Sequence, residues 1–559
     1  MYNRGAVTLI LVISFVLVLP IGWLLLARYR KVIEQLMRGT TYSSPSDRGV
    51  RRSPSVSLKL RRQRAEAHGH SIRLPSGPLA GAAFVELAGG LAFGLVAALL
   101  VLLFAGFEIL PLRVIAVTVS FAWPSILVLN LMWGPDRPRQ VGTVAAFGAV
   151  IVLLCLVSGL SSSEGGPMAF LAPILLWAIY GSLGLLVLLF LNRSIRAIGP
   201  VLVVIAAAAL FGANFALSLL TTDSGIAAAI DVAEMIGGGA WAALIGTASI
   251  GLVVGVAVGW IGAGVLANRH ARKRFSEQTL VSDPIWLVQT LILANSLVIE
   301  AGGWGLLAAL MAFAAYKLTA VFGYRQLRAH VKDQGARPLL FLRVFGYGPR
   351  SSRLIDLIAT RWRSFGPVWL IAAPDVATRV LAPRTFLMFL RGALGGLFVN
   401  NRADLSRRLS TLDRARDPDG RFRTEEVFCA GEIWREAVSQ LMRDARAVIM
   451  DLRTFSSANA GCVYEIQGLL DSVPLERALV LVDATTDLAF LRETMGSNWR
   501  SLSASSPNLR APQPRLLLLD VIGSESAAVD MIEAMSGSVS EGSEAKICGS
   551  LHAQEEAVG

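Results

Sequence analysis

Long apolar runs dominate the first 323 residues of the chain. A helix that crosses a bilayer needs about 20 consecutive, mostly apolar residues. Nine such runs occur, at Ala6–Ala27, 79–106, 114–133, 141–160, 169–191, 200–220, 240–266, 281–299 and 304–323. The pattern predicts an α-helical transmembrane bundle of about nine helices, with an N-terminal transmembrane anchor at 1–27 and a polytopic region at 79–323. Glu300–Gly303 marks a reversal, so 281–323 is either two spans or a re-entrant hairpin.

The pattern changes after Tyr324, where short apolar runs alternate with amphipathic stretches. The runs are Leu339–Phe345, Val368–Ala373, Glu426–Cys429, Ala447–Leu452, Ala478–Val482 and Leu516–Val521. Continuous apolar strands separated by helices are typical of a mainly parallel sheet that is covered on both faces. Residues 324–536 are therefore predicted to form an α/β domain, Rossmann-like in the broad sense and flavodoxin-like in strand order. The Ser-, Gly- and Glu-rich residues 537–559 are predicted to be a disordered tail.

Composition supports this division and locates the charge. The chain of 559 residues is 54% hydrophobic and only 16% charged, which excludes a wholly soluble protein. Its net charge is +12, but residues 28–73 alone hold twelve Lys and Arg against three Asp and Glu. The segment 28–78 is predicted to be a disordered basic linker that binds the anionic lipid surface. The basic character therefore indicates a bilayer as partner and no nucleic acid.

The distribution of basic residues also predicts on which side of the membrane each loop lies. The loops 134–140, 192–199 and 268–278 hold eight Lys and Arg, whereas the intervening loops hold only Arg113. By the positive-inside rule, the N-terminus lies outside and the α/β domain is cytoplasmic. This pattern fits a multi-pass protein of a bacterial inner membrane.

Two features of the apolar region are candidates for a functional role in addition to packing. Glu86 is an ionisable residue in a predicted span, either interfacial or bonded within the bundle, or part of a substrate pathway. Gly251, Gly255 and Gly259 form a doubled GxxxG pattern on one helix face. Such a face lets a second helix approach closely, either within the chain or in a homo-oligomer.

Candidate chemistry lies where the strands of the α/β domain end, because ligands of open α/β sheets bind beyond the carboxyl ends of strands. The glycine-containing loop after the first strand also offers backbone amides to a phosphate group. Residues selected by this placement are Gly346, Gly348, Arg350 and Ser351 after the first strand, Asp375 after the second and Asp483 after the fifth. The alternative is a set of ordinary β–α turns. The four cysteines show no metal-binding spacing, and no metal site is predicted.

The segment after the fourth strand is the most informative. The strand ends at Asp451, a polar loop follows, and a helix begins near Asn459 and carries Glu465 in its first turns. A carboxylate at that place, close to Arg453, can bind ribose hydroxyls and stabilise an oxocarbenium-like centre. The alternative is a glutamate favoured there by the helix dipole alone.

This segment resembles the motif of TIR domains and of nucleoside 2-deoxyribosyltransferases, in which a glycine-containing loop precedes a glutamate and then an apolar strand. Gly461, Glu465 and Ala478–Val482 occupy those places. The resemblance implies a TIR-like fold, a catalytic role for Glu465 and a pocket lined by Ser456, Asn459 and Tyr464. It also implies NAD or a related nucleotide as substrate, without a bound cofactor. Residues 376–423 depart from the motif as a long Arg-rich insertion, which contacts lipid headgroups or an acidic partner, or is a solvated face.

Three classes of function remain open from the sequence. The first is a membrane protein whose cytoplasmic domain binds, or cleaves, an NAD-type nucleotide. The second is a non-enzymatic membrane receptor or scaffold that uses the same domain as an interaction module. The third is a transporter with a regulatory cytoplasmic domain, which the scarcity of intramembrane charge disfavours.

Overall fold

The structure, a computed structural model, describes eleven stretches of the chain. They are 23–36 without 26, 51–64 without 55, 78–132, 137–160, 199–220, 223–301 without 236, 303–330, 335–344, 349–372, 383–429 and 433–521. The predicted anchor lies largely outside the described residues, as do the predicted span 169–191 and the predicted tail 537–559.

The described apolar region is helical throughout. Its helices are α1 (Pro78–Phe104), α2 (Pro111–Phe121), α3 (Pro124–Met132), α4 (Arg137–Leu160), α5 (Gly199–Leu219), α6 (Asp223–Met235), α7 (Ala240–Ala271), α8 (Glu277–Ala301) and α9 (Gly303–His330). Helix α1 packs against α9 and α2, α8 packs against α9, and α5 packs against α7.

The expectation of about nine spans is not supported. Among the described residues, three stretches are long and apolar enough to cross a membrane: Ala80–Phe104, Trp241–Ala271 and Trp304–Ala329. A fourth results if Pro111–Phe121 and Pro124–Asn130, bent by 42° at their break, act together. In the described residues, the apolar stretches of α4 and α5 are the shorter Val141–Leu154 and Val204–Leu217.

The glycine face of α7 is occupied within the chain. A Cβ atom at Gly255 would lie 2.2 Å from the backbone oxygen of Ala208, and one at Gly259 would lie 2.7 Å from the Cα of Ile205. At Gly251 the neighbour is Gly212. Helix α5 therefore uses the three glycines for close backbone contact, which is the intramolecular alternative, and a homo-oligomer through this face stays a prediction.

Replacing Gly255 with leucine is therefore expected to separate α5 from α7. The obstacle is the backbone of α5, which cannot rotate away as a side chain can, so the cost should be at least the 1–3 kcal/mol that is roughly typical of overpacking. Thermal unfolding of the full-length protein in detergent measures the effect. Gly264→Leu is the matched control, because no atom lies within 4 Å of a Cβ there. Equal losses in the two variants would contradict the close contact.

The α/β domain is built on an eight-stranded parallel sheet. Its strands are β2 (Lys59–Arg64), β3 (Leu339–Arg343), β4 (Val368–Ala372), β5 (Phe398–Val399), β6 (Thr424–Cys429), β7 (Ala447–Asp451), β8 (Ala478–Val482) and β10 (Arg515–Asp520). The spatial order is β2-β10-β8-β7-β3-β4-β6-β5. A separate antiparallel pair joins β1 (Arg51–Arg52) to β9 (Leu502–Ser503).

The strand order confirms a parallel Rossmann-like sheet and corrects the flavodoxin-like detail. The strands β3, β4, β6, β7, β8 and β10 are numbered 1 to 6 along the chain. Across the sheet they lie in the order 3-2-1-4-5-6. A flavodoxin-like sheet has the order 2-1-3-4-5, in which the third strand lies beside the first. Here the third of these strands, β6, pairs with β4 at the far side. The order seen is the one that binds dinucleotides in doubly wound proteins.

Helices cover both faces of the sheet. They are α10 (Pro349–Trp362), α11 (Pro383–Leu390), α12 (Arg402–Ser410), α13 (Ile433–Asp444), α14 (Ala460–Ser472) and α15 (Leu488–Trp499). Within β3, Leu340 and Leu342 join the core that contains α13 and α14, whereas Leu339 and Phe341 join the core under α10. The alternation follows from the period of two in a strand, and burial on both faces explains why the strand is apolar throughout.

Residues 28–78 are not wholly disordered, contrary to expectation. Lys59–Arg64 pairs in parallel with β10 as the edge strand of the sheet, and Arg62 forms an ion pair with Asp520. Upstream, residues 27–36 are helical, and Tyr29 packs edge-on against Phe386 and Phe389 of α11. A basic strand suits a sheet edge, because its charges discourage pairing with other chains.

Candidate functional site

The direction in which strands are added to the sheet reverses between β3 and β7. These strands are parallel neighbours although about a hundred residues separate them. From β3 the chain proceeds through β4 to β6 on one side, and from β7 through β8 to β10 on the other. Ligands of open α/β sheets bind in the crevice beyond the carboxyl ends of strands at such a switch point. The last residues of the two strands, Arg343 and Asp451, face each other in register there.

Asp451 and Arg453 form a buried ion pair at this point. The Arg453 Nε and Nη2 atoms donate to the two carboxylate oxygens of Asp451, each at 2.8 Å. Both side chains are buried, and the fork geometry satisfies both carboxylate oxygens. Thr454 follows with φ of 65°, a left-handed conformation that is unfavourable for a β-branched residue. The pair and the strained residue together fix the start of the loop after β7.

Glu465 lies in α14, within electrostatic range of Arg343 at the end of β3, and is almost completely buried, with 1% of its surface exposed. Its Oε2 atom has no hydrogen-bond partner in the structure. Burial raises the pKa of Glu465 to about 8, while the nearby Arg343 guanidinium lowers it. Burial therefore favours the protonated form of this carboxyl group, which has an unused hydrogen-bonding atom.

The loop between β7 and α14 is held by its own side chains. The Asn459 Oδ1 atom accepts from the Ser456 backbone nitrogen at 2.8 Å and from the Ser456 hydroxyl at 3.3 Å. With the hydrogen bond from the Asn459 backbone amide to the Ser456 backbone oxygen, these bonds close the turn that leads into α14. Both residues therefore lie at the switch point, where the sequence placed them, and their visible role is to shape the loop.

Two other predicted residues have local structural contacts. The Tyr464 ring packs edge-on against Trp434 of α13, and its hydroxyl lies 3.3 Å from that of Ser439. Asp483 accepts hydrogen bonds from the Thr485 amide and hydroxyl in the turn after β8. The structure does not bring either side chain into contact with Glu465.

The remaining predicted residues cannot be assigned to the site. Gly346, Gly348 and Asp375 lie outside the described residues. Arg350 and Ser351 lie in the first turn of α10, directly after the carboxyl end of β3, and only their helical backbone is described. Within the described stretches, no three His, Cys, Asp or Glu side chains lie together as a metal site.

A second polar centre, not predicted from the sequence, is the docking loop, which we define as residues 413–423. Asp417, Asp419, Arg421 and Arg423 are all buried there. Arg423 donates from Nε to Asp417 and from Nη2 to the backbone oxygens of His270 and Phe275, at 2.9 and 3.1 Å. Arg421 pairs with Asp419 and donates to Gln278 at 3.3 Å.

The docking loop joins the α/β domain to the loop between α7 and α8. Lys273 of that loop forms an ion pair with Asp413, and Glu277 pairs with Arg363 at 2.7 Å. The arginines at this end of the 376–423 insertion therefore contact the chain's own basic loop and its carbonyl groups. The contacts lie near the amino ends of β4 and β6, whereas the switch point lies at carboxyl ends.

A further buried carboxyl group lies on β6. Glu426 receives a hydrogen bond from Thr385 at its Oε2 atom, at 3.1 Å, and its Oε1 atom has no partner. Burial raises its pKa to about 8. It lies where the α/β domain packs against the helix at 27–36 and against α7, since Phe386, Tyr29 and Ala267 belong to one apolar cluster.

Comparison with known proteins adds no relative. No family model, no curated protein and no solved structure matches the chain.

Proposed function

We propose that the chain is a multi-pass membrane protein whose cytoplasmic α/β domain binds an NAD-type nucleotide at the switch point between β3 and β7. The observation that carries the proposal is the dinucleotide-binding strand order, with the buried group Arg343, Asp451, Arg453 and Glu465 at its switch point. Helices α10 and α14 are the next helices in the chain after these two strands, and helix N-termini attract phosphate groups.

The proposed topology rests on three observations. Three helices are long and apolar enough to cross a bilayer. The basic loops follow the positive-inside pattern, which puts the N-terminus outside and the domain in the cytoplasm. The docking loop contacts the basic loop between α7 and α8, so this loop and the α/β domain lie on one side, as the pattern requires.

Glu465 is the residue we assign to N-glycosidic chemistry, as the resemblance to TIR domains implies. The nicotinamide ring of NAD carries a positive charge, and a nearby cation lowers the pKa of a carboxyl group. A nicotinamide ring beside Glu465 would therefore favour its ionised form. The resulting carboxylate could stabilise the oxocarbenium-like centre that develops as the glycosidic bond breaks.

The burial of Glu465 favours the second candidate, a non-enzymatic receptor or scaffold. A side chain with 1% of its surface exposed does not contact a ligand unless the loop above it moves. If the loop does not move, the α/β domain is an interaction module and Glu465 is a buried core residue without a catalytic role. The two candidates differ in whether NAD is consumed.

The deciding experiment uses the full-length protein in detergent with NAD at millimolar concentration. We expect thermal stabilisation by NAD and release of nicotinamide, and we expect Glu465→Gln to abolish release while leaving the fold intact. Glu476→Gln is the matched control, because Glu476 is exposed in the turn after α14. Stabilisation by NAD without release of nicotinamide would favour the receptor. Absence of both effects would exclude nucleotide binding at this site.

A further inference from the structure

A cluster of ionisable side chains lies inside the helix bundle, apart from the switch point. Glu86 of α1 has 1% of its surface exposed. The hydroxyl of Tyr324, on α9, donates to Glu86 Oε1 at 2.7 Å. The hydroxyl of Tyr316, also on α9, lies 3.5 Å from Glu86 Oε2 and 3.4 Å from Asp283 Oδ1 on α8. Tyr316 therefore bridges two carboxyl groups on different helices.

The charges around the two carboxyl groups do not balance. Lys317 of α9 forms an ion pair with Asp283 and is the one cation that contacts the pair in the described part of the chain. Helix α3 contributes only Ser125, whose hydroxyl donates to the backbone oxygen of Glu86. An isolated negative charge is costly in a bundle interior, so the second carboxyl group must be neutralised in another way.

Packing fixes the bridge between the two carboxyl groups. Gly89, one turn beyond Glu86, leaves room for the Tyr316 ring, which would lie 3.0 Å from a Cβ at that position. On its other side, Tyr316 stacks on Trp286 of α8 with ring centroids 4.9 Å apart. The tyrosine is thus held between the helices that carry the carboxyl groups, and its hydroxyl can accept a hydrogen bond from a protonated carboxyl group and donate one to a carboxylate.

We propose that Glu86 and Asp283 form a proton-binding site inside the helix bundle, which holds one exchangeable proton at neutral pH. Two carboxyl groups linked by a hydroxyl bind a shared proton as a coupled pair. Together with Lys317, the proton makes the cluster electrically neutral, and Glu86 carries it because Lys317 neutralises Asp283. The site lies at the docking-loop end of the bundle, since Tyr324 is within electrostatic range of Asp419 and Arg421.

Infrared spectroscopy of the full-length protein in detergent tests the proposal. The difference spectrum between wild type and Glu86→Gln should contain the carbonyl band of a protonated carboxyl group, which shifts in deuterated water and disappears as the pH is raised. Glu108→Gln, at an exposed glutamate, is the matched control and should remove no such band. Absence of the band from the difference spectrum would overturn the proposal, as would its loss on addition of sodium ions at constant pH, which would indicate a metal cation instead.

A second pair of variants keeps the test decisive if Glu86→Gln does not fold. Tyr324→Phe and Tyr316→Phe keep both carboxyl groups; the first removes one hydrogen bond to Glu86, and the second removes the bridge to Glu86 and Asp283. Because a hydrogen bond lowers the carbonyl frequency, each variant should shift the band relative to wild type. An unchanged band in both variants would place the proton elsewhere in the protein and contradict the assignment to Glu86.

Discussion

Replacing Arg423 with alanine is expected to lower the free energy of unfolding by about 3–5 kcal/mol. Arg423 is 3% exposed and pairs with Asp417, which is completely buried. Its other nitrogen donates to the backbone oxygens of His270 and Phe275. The substitution therefore leaves a buried carboxylate and two carbonyl groups without their partner, and it breaks the contact between the α/β domain and the α7–α8 loop.

Unfolding of the full-length protein in detergent measures this loss, with Arg407→Ala as control. Arg407 forms an ion pair with Asp404 at an exposed position, and such pairs contribute about 1 kcal/mol or less. Adding Asp417→Asn to Arg423→Ala should recover part of the loss, because it removes the unpaired charge. If both arginine variants lost the same small amount, the docking loop would not be a stabilising contact.

The second large effect is a dependence of stability on pH that Glu465 causes. Its pKa is raised from 4.5 to about 8 in the folded protein, so between these values the folded state binds more protons than the unfolded state. The stability contributed by protonated Glu465 is present below the lower value and is lost as the pH rises through the higher one. Glu465→Gln does not titrate and should not show this loss.

The quantity compared is the unfolding free energy of wild type minus that of Glu465→Gln. Between about pH 4.5 and a pH above about 8, this quantity should fall by on the order of 4 kcal/mol. It is measured as the unfolding free energy of wild type and Glu465→Gln across this pH range. Glu426 has a similarly raised pKa, but it is present in both proteins and cancels in the comparison. Parallel stability curves for the two proteins would show that Glu465 is not a buried acid.

Local sequence patterns predicted the centre of the sheet well. Apolar runs such as Ala447–Leu452 and Ala478–Val482 correspond to strands, because a strand buried on both faces must be apolar at every position. The same reasoning placed Glu465 and Arg453 beyond the end of β7, where they lie. The position of β6 could not be predicted, since a strand's neighbour depends on contacts distant in sequence.

Charged segments were harder to interpret from the sequence. Lys59–Arg64 has the composition of a disordered linker, yet it forms a strand because β10 offers an unpaired edge. Arg421 and Arg423 look like a solvated or lipid-facing group, yet carboxylates two and six residues before them allow both to be buried. A composition count cannot distinguish a basic residue with a nearby buried partner from one in water.

The described residues contain fewer helices long and apolar enough to cross a membrane than hydropathy predicts, because hydropathy does not distinguish lipid from protein. Helix α8, predicted as one of two spans or as one arm of a re-entrant hairpin within 281–323, contains Asp283, Pro284 and Glu300. Its Trp286 and Gln289 are buried against the rest of the chain. An apolar helix that is covered by other helices has the same sequence pattern as one that faces lipid.

The pairing of β2 with β10 has a consequence for synthesis of the protein. Arg62 and Asp520 are 458 residues apart, so at translation rates of 5–20 residues per second the strand waits roughly 20 to 90 s for its neighbour. All the apolar helices between them emerge from the ribosome during that time. The sheet edge is therefore closed last, and a nascent chain that stops before β10 exposes an unpaired strand edge that can pair with another chain.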